Sequence, residues 1–217
     1  MKLFRLLLAD DHRLLLDAFV RLLADEEEYD VAGIALDGRD LVAQALRLKP
    51  DIVIADVAMP LLNGLDAMER IRKLLPHTAF LILTASEDIE MARRAIEIGA
   101  MGYLLKSEAS RRLFEALRAV REGHRYICPA LATMIEDIPK SAGAPASVRR
   151  LLTPRQREVL QLLAEGRSMK EVAVTLGLTP RTVAFHKYRV MEQFRLKSTA
   201  DLVQFAIRQR LISAPGA

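Results

Sequence analysis

Polar residues stand where several short apolar runs of the first half of the chain end, and their types suit phosphoryl or metal chemistry. Asp10, Asp11 and Asp56 supply carboxylates, Thr84 a hydroxyl group and Lys106 an ammonium group. Carboxylates held close together repel one another and have raised pKa values unless a cation neutralises them. Mg²⁺ suits such a site because it binds oxygen ligands and is often completed by phosphate. The residue types therefore predict a Mg²⁺-assisted phosphoryl site.

Each residue of this predicted site has a definite chemical role. Asp56 is the candidate phosphoacceptor, and the Asp10-Asp11 pair would complete the metal ligands together with the main-chain carbonyl of Ala58. Lys106 would pair with phosphoryl oxygens as a point charge, and Thr84 would donate a hydrogen bond to them. The open alternatives are that the second aspartate of the pair only caps the first helix, that Thr84 or Ser86 only caps the fourth helix, and that Lys106 is a solvated surface residue.

The hydrophobic pattern of the first half predicts the scaffold that would hold these residues. Apolar runs bounded by polar or turn residues are typical of buried strands. These runs are Phe4–Ala9, Val31–Leu36, Ile52–Ala55, Ala79–Leu83 and Gly102–Leu105. The segments between them show the apolar spacing of three and four that indicates helices. We expect an α/β doubly wound parallel five-stranded sheet of flavodoxin-like order 2-1-3-4-5, whose ligands bind at the carboxyl ends of the strands.

The motifs at these strand ends resemble the receiver domains of response regulators, most closely the NarL/FixJ subfamily, over roughly residues 3–125. The motifs are Asp10-Asp11-His12, Asp56-Val57-Ala58-Met59-Pro60, Asn63-Gly64, Thr84-Ala85 and Gly99–Ser107. The resemblance implies that Asp56 accepts a phosphoryl group from a histidine kinase, with Mg²⁺ assisting. It also implies that Thr84 and Tyr103 relay the change to the face formed by the fourth helix, the fifth strand and the fifth helix.

The second half of the chain differs in its charge balance. Residues 129–217 carry 14 Lys and Arg against 7 Asp and Glu, whereas residues 1–128 carry 18 against 21. A local basic excess is typical of a segment that binds a polyanion. Ile138–Ser147 contains Pro and Gly among small residues and is predicted to be flexible. We therefore expect a receiver at 1–125, a linker that could contain a short helix at 126–148, and an all-α domain at 149–217.

The turn Gly177-Leu178-Thr179 separates two predicted helices and indicates a helix-turn-helix. The segments Thr153–Leu160 and Thr179–His186 resemble the LuxR-type helix-turn-helix, a match of about residues 150–212. The resemblance implies binding to double-stranded promoter DNA, and we expect a homodimer. The apolar stripe of the last predicted helix is the candidate dimer contact, formed by Leu202, Val203 and Ala206. Arg195 stands where this family commonly has glycine.

A helical projection sorts the residues of the second helix of this motif. Val183, Val190 and Phe194 fall on one face and should pack inward. The candidate DNA-binding residues lie on the opposite face and its flanks, where base and phosphate contacts are made. They are Arg181, Thr182, Ala184, Phe185, Lys187, Tyr188 and Arg189. This face is rather apolar: Ala184 and Phe185 could contact thymine methyl groups, and Arg181 could pair with guanine. Alternatively, Phe185 or Tyr188 could pack against a neighbouring helix or a partner subunit.

Composition narrows the class of protein further. Cys128 is the only cysteine, so an internal disulfide is impossible and a reducing compartment is expected. No apolar stretch reaches the roughly 18 residues of a membrane span. The start of the chain looks superficially like a signal peptide, but Arg5 and Asp10 interrupt it too early, which favours a strand. A cytoplasmic protein without a membrane partner is predicted.

These features predict a phosphorylation-regulated DNA-binding transcriptional regulator that catalyses only its own phosphorylation and dephosphorylation. One alternative is a Mg²⁺-dependent phosphatase with an aspartate nucleophile. Such enzymes typically carry a second aspartate two residues after the nucleophile, where this chain has Ala58. The other alternative is a DNA-binding regulator whose receiver no longer accepts phosphate and responds to protein contact.

Overall fold

Apolar runs in the first half of the chain form a parallel sheet in the computed structural model, which describes residues 3–136 and 152–212. The strands are β1 (Phe4–Ala9), β2 (Tyr29–Ala35), β3 (Ile52–Asp56), β4 (Ala79–Thr84), β5 (Gly102–Leu105) and β6 (Tyr126–Ile127). They are hydrogen-bonded in the order β2-β1-β3-β4-β5-β6, and every neighbouring pair is parallel. The predicted order of the first five strands is confirmed.

Strand β6 corrects the predicted number of strands, because the sheet has six rather than five. The N–H of Tyr126 donates to the carbonyl of Met101 at 2.8 Å, and the N–H of Cys128 donates to that of Tyr103 at 3.0 Å. An element of two residues leaves no apolar run in the sequence, so hydrophobic periodicity cannot detect it. The sheet thus extends past residue 125 into the segment predicted as linker.

Helices cross over between the strands, as parallel pairing requires. They are α1 (Arg13–Ala24), α2 (Gly38–Leu48), α3 (Gly64–Leu74), α4 (Ile89–Ile98) and α5 (Ala109–Arg121), and α6 (Pro129–Glu136) follows β6. One turn of 3-10 helix, Lys106–Glu108, comes directly after β5. All residues of β3 are buried, which is typical of a parallel sheet covered on both faces.

Side-chain caps fix where α2 and α4 begin. The Asp37 carboxylate accepts the N–H groups of Arg39 and Asp40 at the start of α2, and Asp88 caps α4. Helix α1 begins after His12 with no side-chain cap. The capping alternatives for Asp11 and Thr84 are therefore not what the structure shows.

The helical half of the chain is a second compact unit, Ala142–Ala217, separate from the unit Met1–Ser141. Its helices are α7 (Pro154–Ala164), α8 (Met169–Leu176), α9 (Pro180–Gln193) and α10 (Thr199–Arg208). Capping boxes at Thr153, Ser168 and Ser198 begin α7, α8 and α10, and Thr179 caps α9. These side chains bind backbone N–H groups that otherwise lack a partner in the first helical turn.

A residue with left-handed backbone follows each of these four helices, with Gly166 after α7 and Arg210 after α10. Gly177 follows α8 with φ 63°, and Arg195 lies just after α9 with φ 55°. Glycine adopts this conformation without steric cost, whereas arginine does not. The predicted linker Ile138–Ser147 lies outside the described residues. No helix within the described ranges is both long and apolar enough to cross a membrane.

Candidate functional site

Three of the predicted site residues converge at the carboxyl ends of the strands. Asp10 follows β1, Asp56 ends β3 and Lys106 follows β5. Nζ of Lys106 lies 2.7 Å from Oδ2 of Asp10 and 3.0 Å from Oδ2 of Asp56. Asp10 and Asp56 are only 2% and 3% exposed. Lys106 is therefore an ion-pair partner of two buried carboxylates and not a solvated surface lysine.

Burial and charge act in opposite directions on this cluster. Burial raises the pKa of Asp56, Lys106 opposes that shift, and the negative charge of Asp10 adds to it. Burial alone would lower the pKa of Lys106, but the charges of Asp56 and Asp10 outweigh it and raise that pKa. The N–H of Val57 donates to Oδ1 of Asp56 at 2.7 Å. One cation thus serves two carboxylates, which leaves the cluster short of positive charge.

His12 is the residue of this site that sequence reasoning did not single out. Its Nδ1 lies 3.0 Å from Oδ1 of Asp10 and 2.9 Å from Oδ1 of Asp11. Ligand atoms of Asp10, Asp11 and His12 lie within 4.8 Å of one another. The hydrogen bond to Asp10 and then the charge of Asp11 raise the pKa of His12. The available signal was its position directly after two candidate ligands.

The loop between β3 and α3 lies close against the backbone of Asp56. A Cβ atom on Gly64 would meet the carbonyl oxygen of Asp56 at 1.9 Å, so only glycine fits without a shift. The N–H of Gly64 donates to the carbonyl of Val57 at 2.9 Å. Asn63 is buried and caps α3 by accepting the N–H of Asp66. Ala58 is exposed in this loop, and its role as a carbonyl ligand stays a prediction.

Thr84 and Tyr103 lie on adjacent strands, and both are buried. Oγ1 of Thr84 accepts the N–H of Ser86 at 3.1 Å. Burial raises the pKa of the Tyr103 hydroxyl above its usual value. The two predicted switch residues are therefore neighbours, with Tyr103 turned inward.

Helix α9 presents the predicted reading face outward. Val183 and Val190 are buried, as the helical projection predicts. Phe194 is partly buried, and its ring lies 4.4 Å from that of Phe205. Four candidate DNA-binding residues are exposed and three are partly exposed. The exposed residues are Arg181, Phe185, Tyr188 and Arg189, and the partly exposed residues are Thr182, Ala184 and Lys187.

The predicted dimer contact on α10 needs a correction. Leu202 is 1% exposed and Ala206 is 0% exposed, so both belong to the core of the helical unit, where α10 packs against α7. A side chain that is already buried within its own chain cannot contact a partner without local unfolding. Of the predicted residues only Val203 is partly exposed on α10.

Two family models match the chain. The model described as response regulator receiver domain matches residues 6–118. The model described as bacterial regulatory proteins, luxR family, matches residues 150–206. The first match covers the strand-end cluster of Asp10, Asp56 and Lys106. The second match covers α7, α8 and α9.

Known proteins are similar to this chain over all or part of its length. The oxygen regulatory protein NreC of Staphylococcus carnosus (strain TM300) is 32% identical over 214 residues, covering 96% of this chain and 99% of NreC. A LuxR-family two-component response regulator from Aurantimonas sp. SI85-9A1 has 30% identity and a TM-score of 0.60, over 62% of this chain and 96% of that chain.

A third relative is similar in fold. RcsB from Salmonella enterica serovar Typhimurium has been solved bound to promoter rprA in the presence of the phosphomimetic BeF3⁻. It has 24% identity and a TM-score of 0.62, over 94% of this chain and 98% of that chain.

Proposed function

Since the chain belongs to the response regulators that join a receiver domain to a LuxR-family DNA-binding domain, we propose that Asp56 is the residue that accepts the phosphoryl group. The chain is a phosphorylation-regulated, DNA-binding transcription regulator. The observation that carries the assignment of Asp56 is its burial at the end of β3 beside Nζ of Lys106. In this proposal the receiver includes the sheet through β6, and the DNA-binding domain begins near residue 149.

Phosphoryl transfer to Asp56 follows from the position of its carboxylate. An oxygen of Asp56 attacks the phosphorus of a phosphohistidine on the cognate kinase. A P–O bond forms as the P–N bond breaks, and the imidazole leaves. Lys106 then pairs with a phosphoryl oxygen through a charge-assisted hydrogen bond, and the hydroxyl of Thr84 donates to another. The same groups would hold the phosphoryl group during hydrolysis of the acyl phosphate.

Mg²⁺ is the proposed cofactor, and the donor set fits it. Oxygens of Asp10 and Asp11 lie close enough together to share one ion. With Asp56 and the main-chain carbonyl of Ala58 they form an all-oxygen set of the kind that Mg²⁺ prefers. When bound, the ion supplies positive charge that neutralises the phosphoryl oxygens. It also adds positive charge beside Asp10 and Asp56, which share Lys106 as an ion-pair partner.

Regulation and DNA binding complete the proposal. Thr84 and the inward-facing Tyr103 relay the modification of Asp56 to the surface formed by α4, β5 and α5. Helix α9 enters the major groove, with Arg181, Ala184, Phe185 and Tyr188 toward the bases and its flanking residues toward phosphates. The active species is a homodimer on two half-sites. Its contact on α10 involves Val203 rather than the buried residues of that helix.

A phosphorylation assay tests the assignment. The full chain is incubated with acetyl phosphate and Mg²⁺, and the acyl phosphate is detected by labelling and by intact mass. The wild type is expected to be labelled and Asp56→Asn is not, whereas Asp17→Asn, which changes an exposed aspartate on α1, keeps full labelling. Equal labelling of the wild type and Asp56→Asn would contradict the assignment. Steady turnover of small phosphate esters would instead support the phosphatase alternative.

A further inference from the structure

Two aromatic rings project from the outer face of α9. Phe185 is 56% exposed and Tyr188 is 58% exposed. They are three residues apart, so they lie next to each other on one side of the helix. Large apolar side chains left in water are unfavourable, by about 25 cal/mol for each Å² of apolar surface. A ligand that covers both rings would recover that free energy.

Cations on the same helix lie against these rings. The guanidinium carbon of Arg189 lies 5.8 Å from the centre of the Phe185 ring, and Nζ of Lys187 lies 5.7 Å from the centre of the Tyr188 ring. The ring of His186 meets that of Phe185 edge-on at 5.5 Å. These contacts place positive charge beside apolar surface. A ligand matches this arrangement if it carries negative charges on its outer surface and an apolar group at the edge that contacts the rings.

Two recesses lie beside the rings, one of about 240 Å³ that Phe185 borders and one of about 620 Å³ that both rings border. Phe185 forms part of the wall of both. The larger recess is also lined by Tyr188, Arg189, Glu192 and Gln193. The Glu192 carboxylate would repel a phosphate at this position. The floor of the recess therefore suits the uncharged edge of a base pair better than the sugar-phosphate backbone.

We propose that Phe185 and Tyr188 read A·T base pairs by packing against the C5-methyl groups of thymines in the major groove. Thymine is the only unmodified DNA base that presents a methyl group there, so an apolar wall discriminates for it. The inference rests on the proposed function, because it requires α9 to enter the major groove. It adds the feature of DNA that this surface recognises.

Removal of the methyl group from DNA tests the inference. The phosphorylated full-length protein first selects duplexes from a random pool. Each thymine of the selected site is then replaced by deoxyuridine, which keeps the hydrogen-bonding edge and lacks the methyl group. For the wild type we expect affinity to fall about fourfold at each contacted thymine, the factor expected from burying one such group. Phe185→Ala should bind the thymine duplex more weakly and lose its sensitivity to deoxyuridine at one or more of those positions.

Control variants separate the possible outcomes. Arg181→Ala changes another exposed residue of α9 and should weaken binding while keeping the wild-type ratio between thymine and deoxyuridine duplexes. The inference would be overturned if Phe185→Ala and Tyr188→Ala both lost as much affinity on deoxyuridine replacement as the wild type does. It would also be overturned if the wild type bound thymine and deoxyuridine duplexes equally well. A change of oligomeric state in Phe185→Ala with intact deoxyuridine sensitivity would assign the ring to a partner subunit and also overturn it. Failure of the folded wild type to select any duplex would instead contradict the proposed function itself.

Discussion

Arg94 on α4 reaches across to α3, where its Nη2 lies 2.5 Å from Oδ1 of Asp66. The other oxygen of Asp66 accepts a hydrogen bond from Nδ2 of Asn63 at 2.8 Å. Asn63 stands in the loop that begins beside Asp56, and Asp66 is buried. One carboxylate thus joins the loop after Asp56, the proposed phosphoacceptor, to the helix that the proposed switch would move.

Breaking this ion pair should destabilise the receiver strongly. Arg94→Ala removes a cation that pairs with the buried Asp66 carboxylate. We expect a loss of about 2–3 kcal/mol in the free energy of unfolding, less than for a fully buried pair because Arg94 is partly exposed. The matched control is Arg93→Ala, whose side chain pairs with Glu90 at 3.5 Å near the surface. That control should cost about 0.5 kcal/mol or less. Urea denaturation measures both, and equal losses would show that the pair does not support the fold.

The close approach of Gly64 to the Asp56 carbonyl predicts a large effect of a single methyl group. Gly64→Ala places Cβ against main-chain atoms that cannot rotate away, so we expect a loss of about 3 kcal/mol or more and defective phosphorylation. Gly123→Ala is the control, because Gly123 has φ 79° and open space around its Cβ position. It should cost only about 1–2 kcal/mol of left-handed strain. Similar unfolding midpoints for the two variants would contradict the tight contact.

The raised pKa of Asp56 predicts a pH-dependent gain of stability in Asp56→Asn. The folded state holds the Asp56 proton more tightly than the unfolded state, whose carboxyl titrates near about 4. The stability contributed by Asp56 therefore falls as pH rises from about 4 through the folded pKa. In EDTA, Asp56→Asn should be more stable than wild type at pH 7, and the difference should disappear below about pH 4. Urea titrations across this range check it; a variant less stable than wild type at pH 7 would refute it.

Lys187 on the flank of α9 should contribute charge rather than sequence preference. Lys187→Ala should weaken binding to all duplexes and reduce the slope of log K against log salt by about 0.9, the effect of one phosphate contact. Lys73→Ala on α3 removes the same charge from the other unit and should leave the slope unchanged. Fluorescence anisotropy at several salt concentrations gives both slopes. An unaltered slope for Lys187→Ala would rule out the phosphate contact.

The strand-end cluster was predictable because strand position and side-chain type are both local properties of the sequence. Strands β1 and β5 have the predicted bounds, and parallel strands necessarily bring Asp10, Asp56 and Lys106 to one edge. The hydrogen bonds from His12 were not predictable in the same way. They depend on the turn between β1 and α1, whose backbone directs the imidazole back toward the aspartates.

The misassigned residues of α10 show a different limit. Periodicity identified the apolar stripe of this helix correctly, but it does not say what covers the stripe. In the structure Leu202 and Ala206 are buried on a helix that packs against α7, so the stripe stabilises the chain's own core. Arg195 illustrates a third limit, since it adopts a left-handed backbone with φ 55° that the usual preference for glycine does not predict.

Strand β6 has a practical consequence for separating the two halves of the protein. A fragment ending at residue 125 would leave β5 as an open sheet edge, although β5 is buried along its whole length. It would also remove Tyr126, Cys128 and Leu131 from the core of the first unit. Exposed apolar edges pair readily with other chains, so such a fragment is expected to aggregate. Cleavage after α6 would keep that edge covered and should yield a soluble receiver.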